Sequence, residues 1–383
     1  MEDIRQEVIN NDALSRWAVL EKQWPTQLAR VDALLIRDGI EHEDSIKLKT
    51  TAVKEWMFRF PFINSILIIG KDKLIFFGNA EKGDLLQAAL ANAQSSGKSV
   101  TVLKKSEPIT GDEIKRLFDE VNKMGVKAFG VFAREKQKGA MIEAFDEELR
   151  YRGYEEVDVS TQIQEIMCVK LPADIKLLEA ACNVTAYFFS NLINKLEGEI
   201  DDNAKPAHSA ISKHMEDYLL KAKGTIEKRL GVKAEFFDYA YSPIIQSGGE
   251  YDLRPNAENN DNALSYDCLL LNVSGKYLSL ICNVFRTVMI NPGEDDKNNY
   301  KALLDLHKRT IRGLKVEKPL NAVYDEIVQY ARDTYPALAD KLPVSLGFGI
   351  GYEFKESCLL INKKNARAVE SGNVFTVITS FKD

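Results

Sequence analysis

The stretch LLLNVSGKYLSLICNVFRT, residues 269–287, decides how the rest of the chain is read. Two apolar runs, 269–273 and 277–281, flank Ser274-Gly275-Lys276. Short apolar runs around a Ser-Gly break predict two β-strands joined by a tight turn at 274–276. The first strand carries Asn272, and Asn283 follows eleven residues later on the second.

With its two asparagines, this pattern resembles the metal-binding hairpin of the pita-bread peptidases: methionine aminopeptidase, aminopeptidase P, prolidase and their metal-free relative creatinase. In the metallopeptidases of that family both positions are aspartates that bridge two divalent metals. An amide is neutral and a poor ligand for a hard cation. The resemblance therefore implies the fold with its metal chemistry removed.

Working outward, YSPIIQSGGEYDLRP at 241–255, DNAL at 261–264 and GFGIGYEFKES at 347–357 add a narrower likeness. Together they resemble the N-terminal peptidase-like domain of the large subunit of FACT, a eukaryotic histone chaperone family that reorganises nucleosomes. That likeness is strong from Tyr241 onward and rests on pattern alone before Pro172.

Ahead of the hairpin, the chain alternates between strands and amphipathic helices. Strands are expected at 31–37, in ILIIG and LIFFG, and at 100–103 and 128–132. Helices are expected from Asp12 to Trp24, and at 51–60, 84–95, 112–124 and 140–152. Such alternation predicts a small wound α/β lobe over 1–171, like the creatinase N-terminal lobe. Pro172 fits the first turn of a long helix at 173–196. After a loop, EGEIDDNAKP, a second helix is expected from His208 to Lys221 with Gly224 as its stop. These open a pita-bread, α+β lobe over 172–383. Gly97-Lys98-Ser99 looks like the tail of a phosphate loop, but it follows a helix and lacks the earlier glycine. It reads as a helix-ending glycine and a turn.

Composition narrows the function. With 51 Lys and Arg against 57 Asp and Glu, the net charge of −6 offers no broad basic face for nucleic acid. No apolar run reaches the ~20 residues of a membrane span, and the polar start is no signal peptide. Five cysteines (Cys168, Cys182, Cys268, Cys282, Cys358) without a C-x-x-C pair read as buried free thiols, not as a disulfide frame or zinc site. Acidic clusters, EHED at 41–44, EGEIDD and GEDD at 293–296, read as solvated surface.

Taken position by position, the family's dinuclear site is degenerate. Beside Asn272 and Asn283, its Gly-His-Gly-x-Gly histidine corresponds to Phe348, and its first glutamate to Ile378 in NVFTVITSF at 373–381. No cofactor and no metal are expected. Creatinase works without metal through a histidine whose place falls at Arg254 or Pro255, and a guanidinium is no general base. His208 and His214 are six residues apart, about 240° around a helix; with His42 and His307 they read as surface or capping residues.

The resemblance implies a non-catalytic, nuclear, chromosome-associated module that binds core histones in transcription, replication and repair. It implies a smaller HMG-associated partner subunit bound through regions beyond Asp383, and leaves replication or transcription factors open as further partners. A vestigial cleft of Arg254, Asn272, Asn283, Tyr352, Glu353 and Lys355 is the candidate peptide site. The alternatives are a cryptic hydrolase with a displaced constellation and a purely structural lobe of a longer chain.

Overall fold

A computed structural model describes residues 13–40, 48–254 and 257–381, in two compact units, Met1–Met167 and Cys168–Asp383. The EHED run with His42, the Asp12 cap and Pro255 lie outside the described residues.

In the first unit the order is α1 (Ala13–Gln27), β1 (Ala33–Asp38), α2 (Lys49–Phe58), β2 (Ser65–Ile69), β3 (Lys73–Gly78), α3 (Ala80–Ala89), β4 (Ser99–Lys104), α4 (Gly111–Lys123), β5 (Ala128–Val131), α5 (Ala140–Arg152), β6 (Glu155–Asp158) and α6 (Ser160–Met167). The strands form one sheet in the order β4-β3-β2-β1-β5-β6. The β1–β2 and β2–β3 pairs are antiparallel and the rest parallel.

Both faces of the central strands are covered, so β2 and β3 read as continuous apolar runs. Alternate residues sort to opposite sides. Leu35, Ile66, Ile68, Ile75 and Phe77 meet Leu117 and Phe118 of α4 and Phe145 of α5. Leu34, Leu67, Ile69, Leu74 and Phe76 are equally buried.

Of two expectations here, one changes and one holds. Helix α1 passes through Pro25 to Gln27 and does not stop at Trp24. Trp24 is buried and donates to Val31 O at 2.8 Å, which holds the last turn although Pro25 removes one donor. Gly97, at φ 71°, does end a short helical turn, and Lys98 Nζ is bound by Glu21 at 2.6 Å and Lys71 O at 2.9 Å. That lysine is committed to structure and free for no phosphate.

The second unit runs α7 (Pro172–Asp201), α8 (His208–Leu230), β7 (Phe237–Gln246), β8 (Cys268–Tyr277), β9 (Leu280–Met289), α9 (Glu294–Gly313), α10 (Leu320–Thr334), α11 (Pro336–Ala339), β10 (Gly347–Gly349) and β11 (Phe375–Val377). Strands β7-β8-β9 form one antiparallel sheet and β10-β11 another. Helices α7 and α8 lie on the three-stranded sheet through Val184, Phe188, Ile211, Met215 and Ile226 against Leu269, Leu271 and Val273.

Both helices outrun their expected ends. Most of EGEIDD belongs to the last turns of α7, where Lys195 pairs with Glu199 one turn on. Helix α8 continues past Gly224 because Ala222 and Ile226 keep its apolar stripe in the core, and Gly231 at φ 66° is the true stop.

The hairpin turn is also displaced. Strand β8 runs straight through Ser274-Gly275-Lys276, and the turn is Leu278-Ser279, with Leu278 at φ 52°. Gly275 is a close approach instead: a Cβ there would lie 2.2 Å from Thr185 Oγ1 and 2.6 Å from the Phe237 ring. The two late strands, β10 and β11, are three residues each. Nor are all thiols buried, since Cys182 is exposed on α7.

Candidate functional site

The register of the hairpin builds the site. Asn272 stands opposite Phe285, and Ser274 opposite Asn283. Directly opposed residues share a face, so these four side chains lie together, turned away from the helices that Leu271 and Val273 meet. Asn272 and Ser274 are buried. Ser274 Oγ donates to Asn283 Oδ1 at 2.8 Å, while Asn283 Nδ2 is buried with no hydrogen-bond acceptor among the described residues.

The glycine-rich segment joins this sheet where Ile281 N donates to Gly351 O at 2.9 Å. Phe348 is buried on β10, opposite Thr376 of β11, and Ile378 N bonds Leu346 O at 3.0 Å. Phe348 and Phe354 are 6.0 Å apart, and Tyr241 of β7 meets Phe354 edge-on at 4.7 Å. Lys355 Nζ lies 5.6 Å over the Phe348 ring. Around the position that the sequence resemblance gives to the family's histidine, the chain has three aromatic rings and a cation.

Behind the segment, Tyr352 is buried and donates to Asp174 Oδ1 at 2.7 Å. Lys170 and Glu356 form a fully buried ion pair, with Lys170 also donating to Cys168 O at 3.2 Å. A Cβ on Gly351 would sit 2.2 Å from Lys170 Cε, so the third glycine of GFGIG is required by this pair.

Among the six residues of the expected cleft, Asn272 and Asn283 share a face. Tyr352, Glu353 and Lys355 belong to the segment bonded to β9. Arg254 is 77% exposed and grips Asp252 through Nε at 2.9 and 2.8 Å. This bond holds the Asp252 carboxyl below its ordinary value. Ser274, Tyr241, Phe354 and Glu356 lie in stretches the sequence reading quoted, yet neither they nor Asp174 and Lys170 were singled out as site residues. Their partners lie up to 186 positions away, beyond any local pattern.

Two histidines depart from the surface reading. His208 is buried, bridging Asn260 Oδ1 and Ser247 Oγ at 2.7 Å each. His307 is half-buried with Nδ1 3.2 Å from Thr379 Oγ1; burial and then the Arg286 charge hold it below its ordinary value. His214 is exposed.

Does this arrangement fit the two divalent metals of the pita-bread peptidases? The four side chains that the sequence resemblance puts at the ligand positions are two neutral amides, a phenyl ring and a branched alkyl group, at Asn272, Asn283, Phe348 and Ile378. Hard cations need anionic oxygen, and two metals with a bridging hydroxide need several such charges. The residues do not fit the group. Among the described residues no other cluster of His, Cys, Asp and Glu has metal-binding geometry.

Comparison with known proteins agrees with this frame. Residues 176–382 match the model of metallopeptidase family M24, and residues 10–162 that of the FACT complex subunit SPT16 N-terminal lobe domain. FACT complex subunit SPT16 of Yarrowia lipolytica is 27% identical over 92% of this chain and 35% of its own length. That of Arabidopsis thaliana is 28% identical over 97% and 36%. The chain thus spans about a third of the length of these relatives. Among solved structures, the N-terminal domain of chickpea FACT complex subunit SPT16 superimposes with a TM-score of 0.88 at 27% identity, covering 98% of this chain and 88% of that one. X-Pro aminopeptidase from Thermotoga maritima gives 0.66 at 18% identity over 91% and 87%, a likeness of fold alone. The chain belongs to metallopeptidase family M24, preceded by an N-terminal lobe of the FACT complex subunit SPT16 kind.

Proposed function

We propose that this chain is a non-catalytic binding module, a peptidase frame that holds core histones for a FACT-type chaperone at chromatin. The observation that carries the reading is the fate of the four ligand positions on an otherwise retained frame. Asn272 and Asn283 keep their shared face while every group able to hold a cation is replaced. A surface with net charge −6 favours encounter with strongly basic proteins, a contribution to on-rate more than to affinity. Service in transcription, replication and repair, and assembly with a smaller subunit through other parts of a longer chain, belong to the same proposal.

The test has two arms. Purified chain is titrated with each kind of core-histone heterodimer, with and without tails, across a salt series. It is also incubated with Xaa-Pro peptides and manganese or cobalt. Binding without turnover supports the proposal. Sustained hydrolysis replaces it with a cryptic peptidase, and the absence of histone binding leaves a structural lobe. Glu353→Lys and Arg254→Glu assign the surface: lowered histone affinity at unchanged melting temperature places it at the cleft, and unaltered affinity removes the cleft.

A further inference from the structure

Two pairs of cysteines meet in the second unit although none is close in sequence. The thiols of Cys182 and Cys282 share a hydrogen bond, as do those of Cys168 and Cys358. The first pair links α7 to β9, and its cause is visible in the hairpin. Cys282 stands directly opposite Gly275, on the face turned to the helices. Because Gly275 has no side chain, α7 approaches closely enough for Thr185 to lie where a Cβ would be. Cys182 precedes Thr185 by one turn and so comes down on Cys282.

We propose that Cys182 and Cys282 are a redox-sensitive dithiol that a hydroperoxide converts to a disulfide, stapling α7 to β9. Cys182 is exposed and reachable by a small oxidant, while Cys282 is buried beneath it. The Cys182 sulfur attacks the peroxide, the O–O bond breaks, water leaves, and Cys182 becomes a sulfenic acid. The Cys282 sulfur then attacks that sulfur, the S–O bond breaks, a second water leaves, and the S–S bond forms. Two thiols lose two electrons and two protons, and hydrogen peroxide is reduced to two waters.

Exposure assigns the roles. A small oxidant reaches Cys182 first, and Cys282 waits beneath it as the resolving thiol. In the other pair Cys168 is wholly buried, with the Asn373 amide 3.8 Å from its sulfur, and Cys358 is only half-buried. That pair has no exposed partner and is the internal control.

The full chain is treated with hydrogen peroxide, quenched in acid, alkylated in denaturant and digested with trypsin. Peptides 177–195 and 277–286 each contain one cysteine, so their linkage is unambiguous. The expected product is this linked pair, with a melting temperature raised by roughly 5 °C because a long loop is closed. In Cys282→Ser the oxidised Cys182 is expected to react with dimedone. In Cys182→Ser neither linkage nor thermal shift appears, and as an exposed substitution it leaves the fold intact. Folded wild-type protein whose Cys182 advances to sulfinic acid while Cys282 stays alkylatable overturns the proposal. So does preferential linkage of Cys168 to Cys358.

Discussion

Ser274 and Asn283 face each other across the β8–β9 hairpin, the hydroxyl donating to the amide oxygen at 2.8 Å. This bond occupies the oxygen at one of the two positions that the sequence resemblance assigns to the family's metal-bridging carboxylates. Restoring the carboxylates alone does not restore the site, because Phe348 and Ile378 still offer only hydrocarbon. Asn272→Asp with Asn283→Asp is expected to bind no manganese by calorimetry. It should also lose about 2–4 kcal/mol at neutral pH, since two like charges enter a buried face without cations. A micromolar binding heat would show that the aromatic fill is displaceable.

Gly275 is held in an extended strand by what surrounds it and not by a turn. Gly275→Ala is therefore expected to cost about 1–3 kcal/mol, as its methyl group meets Thr185 and the Phe237 ring. Urea midpoints measure the loss. A neutral outcome would mean that α7 can move away from the sheet at little cost.

Gly275 also shows where a sequence is legible and where it is not. The apolar runs around it gave away both strands, because burial on one face imposes a period that neighbours along the chain reveal. The pita-bread frame followed from the Asn pair and the GFGIG run. The turn did not, because a glycine required by a neighbouring helix looks the same in one dimension as a glycine required by a turn. Gly224 repeats the ambiguity in the other direction, inside α8 where the core stripe outweighs its helix penalty. At Asn272, Asn283, Phe348 and Ile378 the sequence shows only that charge is missing, since absence of charge is visible residue by residue. What fills and braces the site was hidden: Lys170 and Glu356, or Tyr241 and Phe354, meet only through tertiary packing.

The buried Lys170–Glu356 pair sits against Gly351, with side chains 0% and 2% exposed. Glu356→Ala is expected to cost about 3–5 kcal/mol, because it strands an ammonium away from water. Gly351→Ala should cost about 2–3 kcal/mol, since Lys170 is pinned by Glu356 and by Cys168 O and cannot swing clear of the new methyl group. Combining Lys170→Met with Glu356→Leu should recover most of the loss, as matched apolar replacements of buried pairs often do. Chemical denaturation of the three variants distinguishes an electrostatic brace from simple packing.

His307 makes the stability of the second unit depend on pH in a defined direction. Burial and the neighbouring Arg286 hold its imidazole below the ordinary value of 6.5, with Nδ1 beside Thr379 Oγ1. On acidification the unfolded chain therefore takes up a proton near 6.5 while the folded chain does not. Between the two values the unfolded state holds more protons, so stability falls as pH drops and is restored above the unfolded value. In the first unit Glu113 stays clear of this window: although burial opposes it, hydrogen bonds from Thr110 and Ser106 hold it at about 2 against an ordinary 4.5, so its contribution is lost only at more acid pH, whereas burial holds Glu135 and Asp146 above their ordinary values. His307→Gln, which retains a partner for Thr379 but no titrating group, is expected to flatten the change in urea midpoint between pH 7.5 and 5.5, about a unit on either side of the histidine value. A profile as steep as the wild type's would place the acid sensitivity at another residue.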